Sequence, residues 1–233
     1  VLDFPTDYLR PAVQRYRGSS LTKQIPAGPV AALRALCRQH KTTLFTGLLA
    51  ALNGLLYRYT GQEDIILGTP VGGREQVELE DQIGLYLNTL ALRTRLDGTG
   101  SFETLLTKEK EVLLGAYTHQ AYPFNILADR LNIKRNVSRS LLFDVMVVLQ
   151  NQEDIHLYGN SNHHSLHGLS SSQLNGLERQ TSQVDLTFTF TERADDLQLQ
   201  IGYNCEIFKE ETILRLYHHF IRCLLYTSDA ADD

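Results

Sequence analysis

Few residues of this chain have the types and spacing to do chemistry. Gly68-Thr69-Pro70-Val71-Gly72-Gly73-Arg74 nearly imitates a phosphate-binding loop, with Gly68 and Gly73 at the right separation. The imitation fails chemically. Arg74 stands where such a loop needs Lys, and Glu75 replaces the magnesium-binding hydroxyl with a charge that repels phosphate. His119, within His119-Gln120-Ala121-Tyr122-Pro123-Phe124-Asn125, has the chemistry of a general base. A lone histidine at a helix end is more often a cap or a hydrogen-bonded structural group. His163-His164-Ser165-Leu166-His167 could ligate a metal, but it lies in a Ser/Asn-rich stretch where histidines are ordinarily solvated. His218-His219 fall on a helical stretch. Asn88 shares an alternating face with Leu90, Leu92 and Leu96, so its amide needs a partner. Arg139 suits a backbone carbonyl or carboxylate, and a structural role there outweighs a substrate contact.

Periodicity defines the elements that position these residues. Residues 20–25 read as a short strand. Pro29 fits the first turn of a helix through Val30, Leu33, Ala35 and Leu36 to about His40. Thr43 opens an apolar helix carrying Leu44, Leu48, Leu49, Leu52, Leu55 and Leu56, expected to pack on a sheet. Residues 64–69 form a buried strand, and Pro70 to Gly73 a loop. Residues 87–96 alternate as a strand, with Arg93 and Arg95 facing away from the leucines. Ser101 caps a helix with Phe102, Leu105, Leu106 and Leu113 inward. Pro123 starts another, to about Leu131. Val145 to Leu149 is a buried strand. Ile155 to Arg179 reads as an irregular loop. Val184 to Phe190 and Leu197 to Tyr203 are half-buried strands joined near Ala194-Asp195. Lys209 to Arg222 is a closing helix. This order gives an α/β lobe: a mixed sheet packed with helices.

Composition sets limits. Hydrophobic residues make up 42% and charged residues 21%, ordinary values for a globular protein. No apolar run approaches the roughly 20 residues of a membrane span, and no signal peptide is visible. The net charge of −5 offers no basic footprint for nucleic acid. Cys37, Cys205 and Cys223 are scattered and lack metal-ligand spacing, which fits a reduced, cytoplasmic setting. Residues 223–233 read like the translation of a sequencing adapter. Setting them aside removes three of the 27 acidic residues and leaves a formal charge of −2 against 22 basic ones.

Four phrases then carry a resemblance. They are Gly68 to Arg74, Ile83-Gly84-Leu85-Tyr86-Leu87-Asn88-Thr89-Leu90-Ala91-Leu92-Arg93, His119 to Asn125, and Ser138-Arg139-Ser140-Leu141-Leu142-Phe143. In this order they resemble the second half of a nonribosomal peptide synthetase condensation domain. Tyr86 stands where Phe is commoner, Ala121 where the family usually has Asp, Asn125 where it has Glu, and Leu141 where it has Pro. The family's catalytic phrase, two adjacent histidines followed after three residues by Asp-Gly, is not found. After His163-His164 the corresponding offset holds Gly168-Leu169, and His218-His219 likewise lack it.

The resemblance implies one lobe of a chloramphenicol acetyltransferase-like fold. Residues 1–19 would cross between lobes and residues 20–222 would form the C-terminal lobe. It implies amide-bond formation between thioesters carried on phosphopantetheine arms of donor and acceptor carrier domains, beside a neighbouring adenylation domain. No cofactor would be permanently bound. The catalytic histidine would come from the N-terminal lobe. Asn88, Thr89, Gly72, Gly73, Arg74, His119, Tyr122, Phe124, Ser138 and Arg139 would line or support the substrate channel. Epimerization and heterocyclization domains share the fold, but Asn88-Thr89-Leu90 favours condensation. A lobe used only for docking carriers is the non-enzymatic alternative.

Overall fold

A computed structural model describes residues 2–74, 76–79, 81–133, 136–151, 181–193 and 196–229. The irregular stretch expected at 155–179, with His163, His164 and His167, lies outside the described residues, as does the turn at Ala194-Asp195.

Six strands form one mixed sheet: β1 Gly18–Ile25, β2 Asp64–Val71, β3 Asn88–Arg95, β4 Val145–Asn151, β5 Leu186–Arg193 and β6 Asp196–Asn204. Their spatial order is β1-β6-β5-β4-β2-β3. The β4 strand runs parallel to both β5 and β2, and the remaining pairings are antiparallel. The β5–β6 register runs from Leu186 and Tyr203 to Arg193 and Asp196. The helices are α1 Ala27–Gln39, α2 Leu44–Thr60, α3 Phe102–Tyr117, α4 Phe124–Arg130 and α5 Glu210–Asp229.

Alternation explains the layering. Ile65 and Leu67, Leu90 and Leu92, Val145 and Val147, Phe188 and Phe190, and Leu199 and Ile201 are all buried in one core with the apolar faces of α1, α2, α3 and α5. The intervening positions, such as Arg93, Thr189 and Gln200, are partly or fully exposed. Leu48, Leu49, Leu52 and Leu56 of α2 are completely buried, which is why that helix is apolar around most of its circumference. Thr43 caps α2 by accepting the Thr46 N–H at 3.3 Å, and Ser101 caps α3 by accepting the Thr104 N–H at 3.2 Å.

Two expected boundaries differ. Pro70 and Val71 belong to β2, paired with Thr89 and Asn88. The missing N–H of Pro70 is tolerated because β4 pairs with β2 only at Leu67 and Gly68, leaving one flank unpaired beyond them. The closing helix starts at Glu210 and runs past Arg222 to Asp229. No Gly or Pro interrupts residues 223–229, and Leu224 is fully buried in the core.

The first residues are pinned along this body. Both Asp7 carboxylate oxygens cap α5, accepting from Lys209 N–H and the Thr212 hydroxyl, each at 2.8 Å. Arg10 holds Asp185 through both guanidinium ends and donates to the Ser138 carbonyl at 3.1 Å.

Candidate functional site

The four sequence phrases, separated by up to 75 positions, meet at one end of the sheet. Asn88 starts β3, and its amide is fully used. Nδ2 donates to the carbonyls of Gln120 at 2.7 Å and Tyr122 at 2.8 Å, and Oδ1 accepts the Phe124 N–H at 3.2 Å. The second phrase therefore holds the third: one side chain fixes the turn that ends in α4. Phe124 packs its ring 5.5 Å from that of Phe143, in the fourth phrase. Phe143 in turn lies over Gly68, in the first phrase. A Cβ at Gly68 would sit 2.2 Å from the Phe143 ring, so only glycine admits that contact.

The loop after β2 is held from the opposite side. Arg74 Nη2 donates to the carbonyls of Gln82 at 2.9 Å and Gly84 at 3.3 Å, and its guanidinium lies 5.1 Å from the Tyr86 ring centre. Tyr86 donates its hydroxyl to Gln82 Oε1 at 2.5 Å. Gly73 has a φ of +63°, and a Cβ there would lie 2.0 Å from the Tyr86 carbonyl oxygen. Both the left-handed backbone and the close approach require glycine.

Between these pieces lies a cleft of about 390 Å³, lined by Gly73, Gln76, Leu79, Tyr86, Leu87, Asn88, Gln120, Ala121 and Pro123. Its lining contains amides and apolar groups and, apart from the Tyr86 phenol, nothing titratable. Such a cleft can receive and align an uncharged, amide-bearing chain; among the described residues that line it there is no carboxylate, histidine or cysteine. Among the described residues no three His, Cys, Asp or Glu side chains gather as a metal site. Cys37 is buried, which pushes its thiol up to about 11, far from a reactive thiolate.

The expected channel residues divide into two groups. Gly73 and Asn88 line the cleft, Arg74 braces its loop, and Thr89, paired with Pro70, does not line it. Tyr122 and Phe124 belong to the turn Asn88 holds, with Tyr122 exposed. Gly72 is surrounded by open space. His119 closes that turn through its carbonyl, which accepts the Tyr122 N–H at 3.0 Å; the residue is exposed and does not line the cleft. Ser138 and Arg139 do not line it either. Arg139 Nη1 donates to the Leu2 carbonyl at 3.0 Å and to Asp144 Oδ2 at 3.2 Å, and Asp144 accepts the Leu2 N–H. They anchor the first residues of the chain to the start of β4. Burial and the nearby Asp185 push the Asp144 carboxyl upward, opposed by Arg139.

Sequence reasoning missed Gln76, Leu79 and Gln120, which have no periodicity to mark them. It also missed Glu109. That residue falls three after Leu106 and four before Leu113, on the inward face of α3, and this spacing was the available signal. Glu109 is fully buried and accepts from Asn53 Nδ2 at 2.7 Å. Burial pushes its carboxyl up to about 7.

Comparisons with known proteins agree with this geometry. The family described as Condensation domain matches residues 1–232. A linear gramicidin synthase of Brevibacillus parabrevis is 44% identical over 224 residues, 94% of this chain and 4% of that protein. Tyrocidine synthase 2 of the same organism is 38% identical over 229 residues, 96% of this chain and 6% of its own length. The solved X-domain from teicoplanin biosynthesis superposes with a TM-score of 0.85 at 26% identity, covering 97% of this chain and 50% of that one. A four-domain nonribosomal peptide synthetase bound to AMP and glycine gives a TM-score of 0.85 at 22% identity, covering 98% of this chain and 18% of that one. The chain thus spans a few per cent of the synthases it matches and half of the X-domain chain. With its length matched by one family and its four phrases gathered at one end of the sheet, the chain belongs to the condensation domain family of nonribosomal peptide synthetases.

Proposed function

We propose that this chain is the C-terminal lobe of a condensation domain that joins carrier-bound aminoacyl or peptidyl thioesters. The observation that carries the reading is the cleft itself. Three of the four phrases line a positioning surface whose described residues include no acid, base or nucleophile suited to acyl transfer, and the fourth packs behind it through Phe143. In this reading the acceptor amine attacks the donor thioester carbonyl, the amide bond forms, and the carrier thiol leaves. A histidine from the N-terminal lobe, outside this sequence, orients or deprotonates the amine. This lobe supplies the wall that aligns the two arms, which is catalysis by positioning. The donor and acceptor carrier domains and an adjoining adenylation domain are its partners, in a cytoplasmic synthetase.

Surface exposure supports the missing-partner part of the reading. Ile83, Leu85 and Leu87, alternating along the second phrase, are 104%, 87% and 65% exposed. Three large apolar side chains held in water on one segment need a covering surface, and the N-terminal lobe supplies it in this account. Mixing the chain with a separately produced N-terminal lobe should give a 1:1 complex in sedimentation. Changing Ile83, Leu85 and Leu87 together to Ser should abolish that complex while leaving the circular dichroism melt of the chain unchanged. An undiminished complex would remove the support.

Residues 223–233 are proposed to be adapter-derived. Resequencing with a different library chemistry should fail to recover their codons after Arg222; recovery in independent reads would make the last turns of α5 native.

A further inference from the structure

A second concavity lies on the helical layer and shares no residue with the cleft. It is a groove of about 750 Å³ between α2, α5 and the start of α3, lined by Ala51, Gly54, Leu55, Arg58, Tyr59, Phe102, His219, Arg222 and Cys223. Its volume falls in the range of small-molecule sites. Its floor is apolar and kept low by a mid-helix glycine. A Cβ at Gly54 would meet only Leu105 Cδ2, at 3.9 Å, so among the described residues nothing fills the space above it. Glycine is a costly choice inside a helix, and packing within the chain does not explain it.

One wall is rigid. Tyr59 stacks on Phe4 with ring centres 4.9 Å apart, and its hydroxyl is 2.7 Å from His219 Nδ1. The rim is cationic. Arg58 lies one helical turn beyond Gly54 on α2, and Arg222 lies three residues beyond His219 on α5. Arg10, Arg34, Arg93 and Arg139 each reach a carboxylate. Among the described residues, Arg58 and Arg222 reach none, and both are exposed.

We infer that this groove binds a single-chain amphiphile with a carboxylate head. The apolar chain would lie on Ala51, Gly54, Leu55 and Phe102, and the carboxylate would be met by the Arg58 and Arg222 guanidiniums, whose paired donors fit carboxylate geometry. The inference stands apart from the condensation reading, because it invokes neither the cleft nor the N-terminal lobe.

Titration calorimetry with dodecanoate below its micelle concentration provides the test. One saturable site is expected, with dodecan-1-ol about tenfold weaker for want of the charge-assisted hydrogen bonds. Gly54→Leu, which fills the floor while favouring the helix, should abolish binding. Arg58→Glu with Arg222→Glu, both on the exposed rim, should bring dodecanoate to the level of the alcohol or below. Thermal melts of both variants keep loss of fold separate from loss of site. Equal affinity for the alcohol and the carboxylate, or unchanged binding in folded Gly54→Leu protein, would overturn the inference. So would absence of dodecanoate binding together with saturable binding of an acidic peptide, which would assign the groove to a protein partner instead.

Discussion

Asn88 is the residue on which the site turns. As an amide on the leucine face of a strand it announced a need for partners, but not which ones. Those partners are three backbone groups of one turn, Gln120, Tyr122 and Phe124. They lie more than 30 positions away, and no local pattern encodes such pairing. Each bond contributes roughly 0.5–1.5 kcal/mol net, so losing all three in Asn88→Ala should cost about 1.5–4.5 kcal/mol. That cost should fall mainly on the turn and the start of α4. Hydrogen exchange at the Phe124 amide should accelerate strongly, while amides in the centre of β3 keep their protection. Uniform acceleration throughout the core would make Asn88 a global core residue rather than the clip of the cleft. Arg139 was legible at the same level. Its need for a carboxylate or carbonyl followed from guanidinium chemistry, and Asp144 and the Leu2 carbonyl meet it. His119 looked most like a catalyst by type, yet the fold uses its backbone to close a turn.

Among the elements, strands and helices with strong alternation or caps were readable, because burial on one face imposes the period that burial later shows. The end of β2 was not. Pro70 suggests a loop, and only the absence of a β4 neighbour at that height allows it to pair with Thr89. The packing of α3 hid a second feature. Glu109 sits against Asn53 of α2 and Thr94 of β3, both of which act on its carboxyl, and among the described residues Glu109 Oε2, Asn53 Oδ1 and Thr94 Oγ1 are buried without a well-formed hydrogen bond. A protonated Glu109 can donate to either of the other two oxygens; an ionised one leaves a buried charge. Its folded-state value, about 7 against an ordinary 4.5, fixes the sign. The folded protein holds the proton more tightly than the unfolded chain. The resulting stabilisation is complete below the unfolded value and is lost as pH rises through the folded one. Between those limits the loss is of order 1.4 kcal/mol per pH step, or roughly 3 kcal/mol in all. Glu109→Gln mimics the neutral acid and removes the titration. Its stability relative to wild type should rise from pH 5 to about pH 7 in urea melts and then level off. A difference that stays flat over that interval would mean that Glu109 does not titrate there.

At the scale of the whole molecule, one hydrophobic core joins the sheet to its helical layer. The described lining of the cleft holds no titratable group apart from the Tyr86 phenol, and its flanking segment exposes Ile83, Leu85 and Leu87. The chain covers half of the X-domain structure it superposes on, and this supports the proposal that it is one lobe. Membership of the condensation domain family was legible from the presence of four phrases in order. The convergence of the phrases through Gly68, Phe143, Phe124 and Asn88 was not, because tertiary contact alone creates it. The central claim is that this lobe positions and a separate lobe reacts. The direct measurement is formation of dipeptidyl thioester from loaded donor and acceptor carrier domains, with the chain alone and with the chain plus an N-terminal lobe bearing its histidine phrase. We predict no product above background from the chain alone, and product from the pair that disappears when the second histidine of the added lobe is changed to Ala. Robust product from the chain alone, lost on changing one of its own residues such as His119, would contradict the claim.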